Sequence, residues 1–290
     1  MSPLVTIVVV CYNHSKYIKE NLESIKSQTY PNIQLIVADD ASPDNSVEVF
    51  EEWLTDNNYP ALKNYHKKNK GLATTLNECI ELAKGKYIKL IAADDCLEPT
   101  YIEKCIDQFM NSTAEIVFTN ASEIDDNGVI LSESYFKVPK FSTQFELENL
   151  LLDGNFISGA TLMTTRSIYA TLGPYNPATL LEDYNLILRA LKKNLFVSYI
   201  PENLIHYRRH ENNITLKRFH KLEVETIKEK ILFDKKGRYA DIIHSNIKKQ
   251  VNNNNPEIKD LKYLYIKYKS FDFKFYIIHF YSKLYSFFKA

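Results

Sequence analysis

Long apolar runs, paired cysteines and an excess of either charge are all missing from this 290-residue chain. Its four cysteines, Cys11, Cys79, Cys96 and Cys105, form no CxxC pair and share no spacing with paired histidines, which argues against zinc and redox motifs. They are expected to be small buried hydrophobes in a reducing compartment. No uninterrupted apolar stretch approaches the ~20 residues that a spanning helix requires. The opening MSPLVTIVVVCYN has a short apolar run with no basic start, so it reads as a first strand and not as a secretory leader. The expectation is a soluble or peripheral cytoplasmic protein. With 36 Lys+Arg against 36 Asp+Glu, a chain-wide basic footprint is excluded and no nucleic-acid partner is expected.

What remains is ordinary globular composition, 45% apolar and 25% charged, with aromatics at 13% led by 20 Tyr. The length suits one large domain, or one with an appendage. Such a chain buries roughly three quarters of its unfolded surface and needs no disulfide staple.

Strand and helix patterns alternate over the first 120 residues. Leu4 to Cys11 is a continuous apolar, β-branched run, as a strand covered on both faces should be. Ile18, Leu22 and Ile25 recur at helical spacing, with Ser15 as a candidate cap. Ile33 to Ala38 predicts a second buried strand, and a helix is expected over about Asp44 to Leu54. Leu72, Leu76, Ile80 and Ala83 predict another helix, closed by Gly85 in the left-handed terminal position. Tyr87 to Ala93 reads as a strand, Pro99 as the first turn of a helix carrying Ile102, Ile106 and Phe109, and Ile116 to Thr119 as a further strand. This alternation implies a mostly parallel sheet with helices on both faces. Beyond it, Asp126-Asn127-Gly128 signals a turn, Phe156 to Thr165 and Val197 to Tyr207 read as extended, and Leu181 to Lys192 as helical. From Lys217 the chain reads as charged helix up to the break Asn252-Asn253-Asn254-Asn255-Pro256. Residues 256–290 form a tail dense in Phe and Tyr, in which Lys outnumbers acids. That composition suits either an interfacial membrane helix or a helix packed on its own domain or on a partner subunit.

Two of the predicted strands end in paired acids, Asp39-Asp40 and Asp94-Asp95. In an open α/β sheet, ligands bind outside the carboxyl ends of the strands. Four acids on one edge repel unless a cation or donor groups compensate, which points to Mg²⁺ or Mn²⁺ with oxygen ligands. For one pair alone, capping or a solvated turn is the commoner explanation. The first strand-to-helix turn, CYNHSK, has no glycine, so neither GxGxxG nor GxxxxGK[ST] is present to cradle phosphate. A nucleotide bound here would hold its diphosphate through the metal.

The residues carry a resemblance at this point. VTIVVVCYNHSKYIKENLESIKSQTYPNIQLIVADDASPDNS resembles the opening of glycosyltransferase family 2, and NKGLATTLNECIELAKGKYIKLIAADD its second conserved block. GPYNPATLLEDYNLILRAL and YRRHENNIT are similar to the third and fourth blocks, in the same order, so that the four span Leu4 to Thr215. The resemblance implies a GT-A fold and inverting transfer from a nucleotide-diphosphate sugar, with UDP the family's usual nucleotide. It implies a glycosyltransferase domain over 1–215, with a nucleotide-binding half 1–120 and an acceptor half 121–215, and the sequence pattern adds a helical extension 216–255 and the tail 256–290. Carried over residue by residue, Tyr12 with Asn13 matches the position packing on the nucleobase. Asp40 matches the acid reading the base edge, with Asp39 beside it. Asp94 and Asp95 match the metal- and ribose-binding acids, Glu182-Asp183 the motif of the catalytic base Asp183, and Arg189 its downstream arginine. His210 falls where some relatives place a residue near the diphosphate or metal.

The chemistry is consistent with this. An in-line attack by a hydroxyl needs a carboxylate to take its proton, and a metal offsets charge growing on the departing diphosphate. An acid on the first turn of a helix, as Asp183 is expected to be, also complements the helix dipole. Three departures stand out. Ala92 occupies the position of the first acid of D-x-D, so Asp94 and Asp95 must share the metal and ribose duties. Val10 stands where Pro is usual, and Leu76 where Arg is common. Lys67, Lys68 or Lys70 is a candidate for the lost diphosphate contact; otherwise Lys67-Lys68 and Arg208-Arg209 read as solvated face. Acceptor recognition is expected from Ile124 to Gly159, where Phe136, Phe141, Phe145 and Phe156 either stack on sugar or, more commonly, pack in the core. Family members with a basic aromatic tail suggest a lipid-linked acceptor at the inner face of a bacterial membrane, in lipopolysaccharide, capsule or other glycoconjugate synthesis. The competing readings are a non-catalytic nucleotide-sugar-binding scaffold, which Ala92 favours, and a nucleotidyltransferase, which the glycine-free first turn disfavours.

Overall fold

The computed structural model describes residues 2–261, so most of the tail proposed above lies outside the described residues. The described residues divide into two compact units, one holding those up to 144 together with 156–211, the other those of 145–155 together with those from 212 onward.

The larger unit is built on one sheet. Its strands are β1 Val5–Cys11, β2 Ile33–Asp39, β3 Ala61–Tyr65, β4 Tyr87–Ala92, β5 Cys96–Leu97, β6 Ala114–Ile124, β7 Ile130–Ser132, β8 Leu162–Thr165 and β9 Phe196–Arg208. Helices α1 Ile18–Lys26, α2 Ser46–Asp56, α3 Leu72–Leu82, α4 Tyr101–Met110, α6 Ser167–Leu172 and α7 Glu182–Lys192 also belong to this unit. The strand order is β3-β2-β1-β4-β8-β6-β9-β5, with β7 on β6. β3, β2, β1 and β4 run parallel, β8 is antiparallel to both β4 and β6, and β6 and β9 pair in parallel.

The continuous apolar run of β1 is explained by cover on both faces. Val5, Ile7, Val9 and Cys11 join the cluster formed with Leu22, Phe50 and Ile102 of α1, α2 and α4. Val8 instead packs with Cys79 of α3, and Val10 with Leu76 and Leu186 of α3 and α7. Burying each such side chain contributes about 1.5–3 kcal/mol. All four cysteines are buried and free.

Several local expectations are corrected. Ser15 does not cap α1, which starts from Tyr17; the Ser15 N–H instead donates to Asp44 Oδ2 at 3.0 Å. Gly85 is not a left-handed helix terminus. α3 ends at extended Ala83, and a Cβ on Gly85 would lie 2.4 Å from the Thr6 backbone nitrogen, so close approach to β1 is what demands glycine. Pro99 lies just before α4 and not in its first turn. Of Phe156 to Thr165 only β8 is strand, preceded by a 3₁₀ turn over Gly159–Thr161.

The smaller unit is helical: α5 Gln144–Asp153 (its first residue in the larger unit), α8 Ile214–Lys217, α9 Phe219–Phe233 and α10 Ala240–Asn252, followed by a 3₁₀ turn at Pro256–Leu261. Its polar core is specific. Buried Lys230 donates to the Asp153 carbonyl at 3.1 Å and to Asn246 Oδ1, and Asp234 accepts the Arg238 and Tyr239 N–H groups at 2.8 Å. Among the described residues no helix is long and apolar enough to cross a membrane.

Candidate active site

Strand order reverses at β1, with β2 and β3 on one side and β4 on the other, and the crevice outside such a reversal is where open α/β sheets bind ligands. The register brings the strand ends level, Cys11 opposite Asp39 and Val10 opposite Ala92. Every residue considered below belongs to the larger unit, apart from Phe145 and Arg238.

Asp39 and Asp40 occupy this edge as turn-builders. Asp39 accepts the Ser42 N–H at 2.8 Å and its hydroxyl at 2.5 Å, and the Ser42 oxygen accepts the Asn13 N–H at 2.8 Å. Asn13 has a φ of 62°, the left-handed conformation that asparagine tolerates. Asp40 accepts the Lys70 and Gly71 N–H groups at 2.7 and 2.8 Å and faces His66 Nδ1 at 2.8 Å, so it ties β2 to the start of α3. Tyr12, at the end of β1, is half exposed. Lys67 and Lys68 are exposed, and Lys70 pairs with Glu78.

Asp94 lies beyond β4, buried between two imidazoles. His210 Nε2 is 3.0 Å from its Oδ2 and His14 Nδ1 is 3.5 Å from its Oδ1. One ligand atom from each of His14, Asp94 and His210 falls within 4.8 Å of the others. Burial pushes Asp94 upward, but the hydrogen bond from His210 and the field of His14 outweigh it and hold the carboxyl below its usual value. His14 is itself pushed down, by burial first. The sequence reading missed His14. It sits two residues after Tyr12, at no metal-ligand spacing, and the pairing of β9 with β5 and β6, Cys96 and Ser122 opposite His206, returns His210 to the same place.

Asp95 stands outside that cluster. Its Oδ1 accepts the Arg208 N–H at 2.9 Å, and burial followed by the charge of Asp94 raises its pKa well above the ordinary range. Arg208 is not solvated face: it is fully buried, donating to the carbonyls of Asp94 at 2.8 Å and Asp125 at 3.0 Å and to Glu20 at 2.5 Å. It clamps the end of β9 beside the cluster.

Asp183 opens α7 and is held before any ligand arrives. Its Oδ2 accepts the Gly159 N–H at 2.6 Å and its Oδ1 the Tyr184 N–H at 2.6 Å. Burial raises its pKa despite these donors. Adjacent Glu182 is pushed up to about 8, by burial and then by the charge of Asp183. Arg189 directs Nη1 to the carbonyls of Leu172 and Pro174 at 2.9 and 3.0 Å, bracing the loop that leads into α7. Phe136 packs on the main core, Phe141 stacks beside Phe118, Phe156 is partly buried, and Phe145, in the smaller unit, lies under Arg238.

The profile of glycosyl transferase family 2 matches residues 6–173. The chain belongs to this family. Chondroitin synthase of Escherichia coli is 30% identical over 219 residues, 74% of this chain and 30% of that protein. The glycosyltransferase EpsH of Bacillus subtilis strain 168 is 30% identical over 221 residues, 73% of this chain and 63% of that protein. The chain thus spans from under a third to just under two thirds of these relatives. Among solved structures, the mannosyltransferase PcManGT of Pyrobaculum calidifontis, in complex with GDP-Man and Mn²⁺, superposes with a TM-score of 0.60 at 14% identity, covering 92% of this chain and 71% of that one. The likeness establishes the GT-A type of fold expected from the sequence.

Proposed function

We propose that this family 2 member is an inverting glycosyltransferase that moves a sugar from a nucleotide-diphosphate sugar to a hydroxyl of a glycan acceptor. The observation that carries the reading is the pairing of a His14–Asp94–His210 cluster at the sheet's switch point with Asp183, a helix-borne carboxylate whose affinity for protons is raised. GDP-Man and Mn²⁺ bound to the structural relative, and the polysaccharide-synthase name of the sequence relative, support the same assignment.

The donor set fits a divalent cation, Mn²⁺ or Mg²⁺. His14 Nδ1 and Asp94 Oδ1 are buried and find no hydrogen-bond partner, an arrangement that a bound cation would satisfy. Asp94 and His210 would hold it, and when bound it would supply positive charge to offset that of the leaving diphosphate. Asp95 keeps the Arg208 backbone, and with it His210, in place. Exposed Tyr12 offers its ring to the nucleobase, Asn13 and Asp39 fix the turn beneath it, and Asp40 shapes the base-edge wall through Lys70 and Gly71. Asp183 accepts the proton of the attacking hydroxyl, while Glu182, protonated near neutrality, is a donor-side hydrogen-bond donor. Arg189 supports the α7 entrance by the contacts described above.

UDP is the first nucleotide to test. A lipid-linked acceptor in bacterial surface polysaccharide or glycoconjugate synthesis, with peripheral attachment through residues 256–290 to the inner face of the cell membrane, completes the proposal. Incubation with a panel of UDP- and GDP-sugars and lipid-linked acceptors, read by mass spectrometry and by NMR of the new anomeric centre, tests it. Transfer with inversion is expected. Donor binding without transfer to any acceptor or to water would favour the scaffold reading that Ala92 suggests.

A further inference from the structure

We propose that His14 is a third protein ligand of the cation, so that the site is a two-imidazole, one-carboxylate set that selects a first-row transition ion over Mg²⁺. The inference deepens the reading above and rests on it. Ala92 removes an oxygen ligand from the end of β4, and what faces Asp94 there is nitrogen, from the β1–α1 turn on one side and the end of β9 on the other.

Geometry favours coordination over a simple hydrogen-bonded trio. The His14 Nδ1 to Asp94 Oδ1 distance, 3.5 Å, makes no hydrogen bond, and both atoms are buried without a partner. A cation with bonds of about 2.1 Å to nitrogen and oxygen holds adjacent ligand atoms roughly 3 to 3.5 Å apart. The separations at Asp94, 3.0 Å from His210 Nε2 to Oδ2 and 3.5 Å from His14 Nδ1 to Oδ1, match that spacing for a carboxylate that turns one oxygen to each imidazole. The surroundings hold His14 in place: its ring meets His210 edge-on with centroids 5.6 Å apart, and Tyr17 packs against both imidazoles. Imidazole suits transition ions, whereas Mg²⁺ prefers oxygen ligands in near-ideal octahedral geometry and gives up water reluctantly. Three protein ligands also leave positions open for diphosphate oxygens.

The test uses the full chain stripped with chelator. Calorimetric titration with Mn²⁺, Co²⁺ and Mg²⁺ is expected to show Co²⁺ and Mn²⁺ binding at least about tenfold more tightly than Mg²⁺. His14→Ala should weaken Co²⁺ by about tenfold or more and leave Mg²⁺ unaltered. Pulsed electron paramagnetic resonance of the Mn²⁺-loaded protein should detect two imidazole nitrogens in the wild type and one in His14→Ala. His14→Asp, which restores a ligand with oxygen, should bind cation with its preference moved toward Mg²⁺, and it distinguishes loss of a ligand from loss of fold. One nitrogen in the wild type, or equal Co²⁺ affinity with and without His14, overturns the proposal. Sugar transfer by the Mn²⁺-loaded wild type is scored separately. Transfer with a single coupled nitrogen overturns the His14 assignment alone. Two nitrogens without transfer, donor hydrolysis or nucleotide binding overturn the functional reading on which it rests.

Discussion

Asp94 and Asp183 are aspartates at the ends of regular elements, one buried and the other partly so, yet their surroundings drive them in opposite directions. Asp94 lies between two imidazoles, which offset its burial and keep it ionised. Asp183 receives only backbone N–H groups, from Gly159 and Tyr184, and burial prevails. The difference follows from which neighbours each strand or helix end is given. A carboxylate held charged suits a cation, and one with raised proton affinity suits accepting a proton. Separated values of this kind assign roles to a pair of acids.

The comparison breaks most visibly at Asp183. Asp183→Asn can keep only one of the two backbone hydrogen bonds, the Tyr184 N–H to Oδ1 or the Gly159 N–H to Oδ2, and cannot take a proton. Turnover should fall by about 10²–10⁴ with donor affinity nearly intact, measured as kcat against the donor Kd. A collapse in donor affinity would place Asp183 on the donor and not on the acceptor hydroxyl. At the other carboxylate, Asp94→Ala should lower kcat/KM by roughly 10²–10³ and, unlike Asp183→Asn, abolish cation binding in a metal titration.

A smaller effect is expected at Lys89, which links the two regions. It is fully buried in β4, and burial lowers its ammonium to about 7. Its Nζ donates to the carbonyls of Ala160 and Leu162, the latter at 3.2 Å, immediately beyond the Gly159 that holds Asp183. Lys89→Met fills the space but frees that turn. We expect kcat to fall about tenfold with the donor KM unmoved, whereas a general loss of folding would change both.

The smallest effect sharpens the account at Glu182. Its folded value of about 8 lies above the ordinary 4.5. The stability it contributes is therefore complete below 4.5 and is lost as pH rises through about 8. Glu182→Gln should melt like the wild type at pH 4 and a few degrees higher at pH 9, because the variant has no charge to bury. Equal melting temperatures at pH 9 would show that Glu182 is solvated.

Much of this arrangement was legible because buried parallel strands leave a plain sequence record. The runs ending at Asp39 and Asp94 give both the sheet and the edge where ligands bind. β3 left no such record: it is an edge strand with exposed Leu62 and Lys63 and no apolar alternation to mark it. α5 lies within Ile124 to Gly159, a stretch read for acceptor recognition and not for its elements. Gly85 was assigned to a helix end because local signals cannot show that Thr6 of β1 presses against it. His14 and Arg208 were lost for a related reason. Their partners lie 80 and 114 positions away at Asp94, and chain register, not spacing, brings them together. Arg208 also shows that a pair of basic residues divides by the alternation of a strand, one side chain buried on Glu20 and Asp125 and the next, Arg209, exposed beside Glu123.

The most direct test is calorimetric titration of UDP and GDP into the wild type, Asp94→Ala and Asp183→Asn, each with Mn²⁺ and with chelator. Binding of one nucleotide that requires Mn²⁺, is lost in Asp94→Ala and persists in Asp183→Asn is the result predicted. Binding indifferent to the metal, or lost equally in both variants, would contradict the separation of a cation-holding carboxylate from a proton-accepting one.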